Sequence, residues 1–260
     1  VYGANLRAPS LLTSNSVRPT SGLEFVSSRH FPDEVQGDVL YNNSIGFLGA
    51  KQHQVIEDGT GFTTKFRQDL FTSKDLNFRP VDLEFAPDGS LYVVDWQNVL
   101  IGHMQHNARD PNRDHVHGRV YRITYPGRPL VKPAQIAGAP IKVLLENLKL
   151  PEYRSRYRTR RELRGRDADE STTALGKWIP SLEDEHQLLE ALWVSWGIDR
   201  LNKSLLKQLL QSKDHRIRSA AVRVLRFNAA QFDNYPALLK AAASDDHGRV
   251  RMEAVTAASY

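Results

Sequence analysis

Val81-Asp82-Leu83-Glu84-Phe85-Ala86-Pro87-Asp88-Gly89-Ser90-Leu91-Tyr92-Val93-Val94-Asp95 reads as two short strands across a tight turn. Both arms carry β-branched and aromatic residues, and Pro87-Asp88-Gly89 supplies the turn, with glycine free to take the positive φ that many turns demand. Working outward, Gly37-Asp38-Val39-Leu40-Tyr41 has the same character, and Arg119 to Tyr125 is a further strand candidate. Gly, Asp, Asn and Pro punctuate these segments, and none of the first 130 or so residues sustains a helical period.

The pattern changes at Pro126-Gly127-Arg128-Pro129 and Lys132-Pro133. We assign residues 1–130 to a β domain, 131–140 to a Pro-rich linker and 141–260 to a helical domain. Leu188, Leu189, Leu192, Trp193 and Trp196 form one apolar stripe; Leu205, Leu206, Leu209 and Leu210 form another; Ile217, Ala220, Ala221, Val224 and Leu225 form a third. The helices repeat. Arg154-Ser155-Arg156 leads to Leu163, and Arg216-Ile217-Arg218 leads to Leu225 at the same offset; Arg249-Val250-Arg251 opens a third copy. A period of about 31 to 33 residues predicts stacked helical hairpins, an α-solenoid of HEAT-like repeats. The chain opens on Val1-Tyr2-Gly3 and ends inside a helical pattern, so we expect a piece of a longer protein.

With 260 residues, 40% of them hydrophobic, the chain can bury a core in each domain. No run approaches the roughly 18 apolar residues of a membrane span. Cysteine is absent, which excludes disulfides, thiolate zinc and covalent c-type haem within these residues. The net charge of +5 is concentrated in seven arginines between Arg154 and Arg166. That run has only Tyr153 and Tyr157 where single-strand binders interleave stacking aromatics, and it has Glu152, Glu162, Asp167 and Asp169 nearby. It therefore reads as a solvated or domain-contact face in preference to a nucleic-acid site.

Trp96 to Gly118 joins two strand candidates by about twenty residues, far beyond a hairpin loop. It holds four of the nine histidines, His103, His106, His115 and His117, with Arg109, Asp110, Asn112, Arg113 and Asp114. Three readings stand: a binding or catalytic loop, a structural plug with internally paired charges, or a metal site on the four histidines. The histidine spacings match no familiar zinc pattern. His30 is a further candidate, weighed against a satisfied surface histidine.

Two stretches resemble a known family. Ser21-Gly22-Leu23-Glu24-Phe25 with Phe31-Pro32 and Gln36-Gly37-Asp38-Val39-Leu40, and then Phe78-Arg79-Pro80-Val81-Asp82 with Ala86-Pro87-Asp88-Gly89-Ser90-Leu91-Tyr92-Val93, are similar to consecutive blades of the soluble quinoprotein glucose/sorbosone dehydrogenases. The run from Asp95-Trp96 through Gly102-His103-Met104-Gln105-His106 and Arg109-Asp110-Pro111-Asn112-Arg113-Asp114-His115 to Gly118-Arg119 resembles large dehydrogenase-like propeller proteins of planctomycetes and verrucomicrobia. The resemblance implies the closing blades of a six-bladed β-propeller followed by HEAT repeats, in an extracytoplasmic (periplasmic) oxidoreductase. Its substrate would be a sugar or alcohol and its cofactors PQQ and Ca²⁺. Electrons would pass to a haem c domain outside this chain, and a protein partner would sit on the repeats. On the loop reading the candidate catalytic residues are His103, His106 and His117, with Arg109 and Arg113 as candidate cofactor-binding residues; the resemblance implies Arg79 and Asp82 as further cofactor-binding residues. Arg79 matches the first arginine of the family's Arg-x-Arg-Asp motif, and Val81 stands where the second would be. The alternative is a non-catalytic propeller that binds carbohydrate or protein, with the helical array as scaffold.

Overall fold

A computed structural model describes residues 20–100 and 109–259. The chain divides into two compact units, a β unit on residues 20–58 and 62–133 and a mainly helical unit on residues 59–61 and 134–259. The architecture is mixed: two antiparallel sheets, of four and three strands, and eight α-helices among the described residues.

The first sheet runs in the order β1 (Thr20–Phe25), β2 (Val39–Asn43), β3 (Gly49–Asp58) and β4 (Gly61–Thr72). The second runs β5 (Pro80–Phe85), β6 (Leu91–Asp95) and β7 (Arg119–Ile123). The Pro87-Asp88-Gly89 turn joins β5 to β6, with Gly89 at φ 83° and Asp88 accepting from the backbone and hydroxyl of Ser90 at 3.0 and 2.6 Å. Strands β3 and β4 are the longest, yet neither stands out in the sequence. Their alternation is masked by polar residues that the fold buries: Lys51, Gln52 and His53 are all covered. Asp38 explains Gln52, accepting from its amide at 2.7 Å and from Arg67 Nε at 2.5 Å. On the opposite face Lys51 pairs with Asp69 at 2.7 Å, and the Tyr41 hydroxyl meets His53 Nε2 at 3.0 Å.

The two sheets meet along their first strands. Ser21 Oγ donates to the carbonyl of Pro80 at 3.0 Å, and Ser28 Oγ donates to that of Gly89 at 2.8 Å. Both strands carry a register shift here, between Ser21 and Leu23 in β1 and between Pro80 and Asp82 in β5. Gly22 sits at the first with φ 62°, and a Cβ at that position would stand 2.7 Å from Asp82 Cα. Glycine is therefore required for both conformation and space. Val26, Phe31, Leu40, Leu83, Phe85, Leu91 and Val93 fill the core on either side of this seam.

The helical unit comprises α1 (Ile141–Asn147), α2 (Tyr153–Arg164), α3 (Ala168–Trp178), α4 (Glu185–Gly197), α5 (Lys203–Leu209), α6 (His215–Phe227), α7 (Tyr235–Ala243) and α8 (Gly248–Ala258). Asp167, Asp184, Asn202 and Asp214 cap α3, α4, α5 and α6 by accepting first-turn amides. The predicted stripes face a common core through Leu188, Leu192, Leu205, Leu206, Leu209, Ile217, Val224 and Leu225, while Trp193 and Trp196 lie at its edge, half-buried.

One device recurs at three helix starts. Arg156 Nη1 donates to the carbonyls of Leu150 and Pro151, both at 2.7 Å. Arg218 Nη1 does the same to Ser212 at 2.9 Å and Lys213 at 3.2 Å. Arg251 Nη1 reaches Asp245 at 2.7 Å and Asp246 at 2.9 Å. In each case the acceptors lie six and five residues before the arginine, so the guanidinium ties the end of the incoming loop to the next helix. The arginine spacing seen in the sequence thus has a common structural cause.

Candidate functional site

The loop between β6 and β7 is built on a buried frame. Asp95, at the end of β6, is buried, and its Oδ1 accepts the backbone amides of Arg79 at 2.7 Å and Gln97 at 2.8 Å. Its Oδ2 accepts from Arg119 Nε at 2.7 Å, and Arg119 Nη1 continues to Asp75 at 2.8 Å. Gln97 takes φ 52°, a conformation rare for a residue with a side chain, so the chain turns sharply as it leaves the strand. Asn98, also buried, donates from Nδ2 to the carbonyl of Asp114 at 3.0 Å. Arg113 lies over the Trp96 ring, 4.5 Å from its centroid, and donates to the carbonyl of Leu100 at 3.3 Å. The two ends of the loop are therefore stitched to each other and to β5.

Arg79 is spent on this frame. Its Nε donates to the carbonyl of Asn98 at 2.9 Å, Nη1 to that of Ser44 at 3.1 Å and Nη2 to that of Val99 at 3.3 Å. The residue is 6% exposed, and burial pulls its pKa below the usual arginine value, Asp95 and Asp75 opposing. Asp82 is exposed on β5 and accepts the amide of Leu83 at 2.9 Å. Arg79 and Asp82 thus do not converge on one ligand. A quinone rich in carboxylates needs cations facing it, and Arg79 has its three bonded nitrogens on backbone carbonyls, so the described residues do not fit PQQ at this position.

On the returning limb Asp114 organises the local chain. Its Oδ1 accepts the amides of Val116 and His117, both at 3.0 Å, and His117 Nδ1 approaches Oδ2 at 2.9 Å. These bonds, that of Val116 foremost, hold the Asp114 carboxyl below its ordinary pKa. A carboxylate only accepts, so Nδ1 must carry the proton. Nε2 of a neutral His117 then presents a lone pair outward. The His117 side chain is 68% exposed. The arrangement is an Asp–His pair in which the carboxylate fixes tautomer and ring direction, the orientation a general base requires.

Arg109 and His115 are exposed on the same loop. His103 and His106, predicted as catalytic, lie outside the described residues. Neither Asp95 nor Asn98 stands out in the sequence as a site residue; a buried Asp two residues before a positive-φ position leaves no periodic trace. His30 is buried and not at the surface, with Nδ1 3.0 Å from the carbonyl of Pro129 and Nε2 accepting the amide of Tyr125 at 2.8 Å. It serves as a brace between the start of the connector and the first sheet.

Residues 5–127 match a family model described as a domain of unknown function, DUF7133. The match covers most of the β unit, from before β1 to just past β7. No curated protein and no solved structure matches the chain.

Among the described residues no helix is long and apolar enough to cross a membrane.

Proposed function

We propose that the chain is part of an extracytoplasmic oxidoreductase resembling the quinoprotein sugar and alcohol dehydrogenases, in which the loop after β6 meets the substrate. The observation that carries this reading is the Asp114–His117 pair. Oxidising an alcohol requires a base for the hydroxyl proton, and His117 Nε2 is oriented to take it. Asp110, Asn112 and His115 beside it offer hydrogen-bonding groups of the kind that sugars engage. In this reading the sheets are two blades of a propeller, which is supported by their contact along first strands and by the exposed Leu23, Phe25, Val94 and Val120. The helical unit is read as HEAT-like repeats, supported by the recurring arginine brace. A two-electron acceptor would have to be held by residues other than Arg79, and a haem c domain outside this chain would take its electrons.

A second reading rests on Arg79 itself. Its commitment to three carbonyls is what a purely structural loop base needs, and it favours a non-catalytic propeller that binds a glycan or protein. The full-length protein, supplied with PQQ and Ca²⁺ and assayed with a panel of sugars and alcohols against a dye acceptor, separates the two. Substrate-dependent dye reduction supports the enzyme. Sugar binding by calorimetry with no dye reduction supports the binding module.

A further inference from the structure

Helices α2 and α4 border a groove of about 320 Å³ lined by Tyr157, Arg160, Arg161, Arg164, Trp193 and Trp196. The sequence places only two tyrosines in the arginine run; the fold adds two tryptophans from the neighbouring helix. Arg160 lies 5.1 Å from the Trp193 ring centroid, Arg161 lies 5.9 Å from that of Tyr157, and Trp196 stacks on Phe227 at 5.5 Å. The charges are not equivalent. Arg160 is neutralised by the buried Glu190 at 2.5 Å. Arg156 shares that glutamate at 3.0 Å, and Arg166 turns onto Glu162 at 2.6 Å. Arg161 and Arg164 are exposed, and among the described residues neither has a hydrogen-bond or ion-pair partner.

We propose that this groove docks an acidic peptide segment of a partner protein, with carboxylates on Arg161 and Arg164 and an aromatic side chain against Trp193 and Trp196. Two uncommitted guanidiniums three residues apart on one helix match two carboxylates of a short segment. They are too few to follow a nucleic-acid backbone, which needs cations along several nucleotides. An aromatic floor beside unpaired arginines is also the composition of interface hot spots, because both contribute most once water is excluded.

The test is fluorescence anisotropy of the full chain with a fluorescein-labelled Asp-Glu-Phe-Glu-Asp peptide, its Asn-Gln-Phe-Gln-Asn counterpart and a single-stranded oligothymidylate. The acidic peptide should bind and perturb tryptophan emission, and Arg161→Gln and Arg164→Gln should each weaken it about tenfold. Both arginines are exposed, so far-UV circular dichroism should report intact helices in either variant. The proposal is overturned if the acidic peptide does not bind, if the amide peptide binds equally, or if the double variant binds unchanged. Tighter binding of the oligothymidylate, lost in the same double variant, would overturn it in favour of nucleic acid.

Discussion

Arg79 Nε lies 2.9 Å from the carbonyl oxygen of Asn98, joining the residue that leads into β5 to the loop that leaves β6. Asp95 completes the joint by accepting the Arg79 amide. Held this way at its base, the described returning limb of the loop, residues 109–118, can present side chains in fixed directions, which a free loop cannot.

Replacing Arg79 by Met should therefore act on order and stability. Two buried carbonyls, of Ser44 and Asn98, and the partly buried one of Val99 would lose charged donors, a loss on the order of 2–4 kcal/mol. Hydrogen exchange at the amides of residues 97–100 should quicken markedly, and limited proteolysis should cut within the loop. Unchanged exchange there would mean that the anchor is dispensable.

Asp114→Asn tests the orientation of His117. An amide can present its NH₂ to Nδ1, favouring the tautomer that carries the proton on Nε2. The expected loss is roughly 10²-fold or more in kcat with little change in KM. Nitrogen NMR of His117 should show the tautomer shift directly; a rate loss without that shift would assign Asp114 a merely structural role.

Acid should loosen the helical unit at the Arg218–Asp245 joint. Arg218 holds the Asp245 carboxyl down to about 2 from 3.8, with contacts at 2.7 and 2.8 Å. A depressed carboxylate pKa contributes stability that is present above the unfolded value and lost as pH falls through the folded one. The contribution should be intact above about pH 4 and fade toward pH 2, and Asp245→Asn should flatten that part of the profile in thermal melts followed by far-UV ellipticity.

His53 gives the β unit a second pH dependence. Burial foremost, then the Lys51 charge, lowers its pKa, with Asp38 and Asp69 opposing. The neutral ring is the folded form, bonded to the Tyr41 hydroxyl and 3.3 Å from Thr64 Oγ1. The folded protein takes up this proton less readily than the unfolded chain, so stability should decline as pH falls below about 6.5. A His53→Gln variant should lose this dependence, as read from the thermal midpoint between neutral and mildly acidic buffer.

The strand pair around Pro87-Asp88-Gly89 and the helical stripes were legible in the sequence because local chemistry decides both: turn residues for the first and a 3.6-residue period for the second. Strands β3 and β4 were not. Lys51, Gln52 and His53 look like surface residues until Asp69 and Tyr41 from neighbouring strands and Asp38 from just before β2 are brought beside them. The loop was visible by its length and its histidines, but the Asp114–His117 pair was not distinguished from its neighbours, since spacing alone does not say which carboxylate turns toward which ring. The apposition of Trp193 and Trp196 to the arginine run was equally hidden, because it depends on which helices are neighbours.

The role of the loop is tested most directly by the rate of substrate-dependent dye reduction in the full-length protein, compared between the natural sequence and His117→Gln. Reduction with at least one sugar or alcohol, falling roughly 10²-fold or more in the variant while the fold is retained, is the expected result. No reduction with any substrate when PQQ and Ca²⁺ are supplied, or an equal rate in the folded variant, would contradict it.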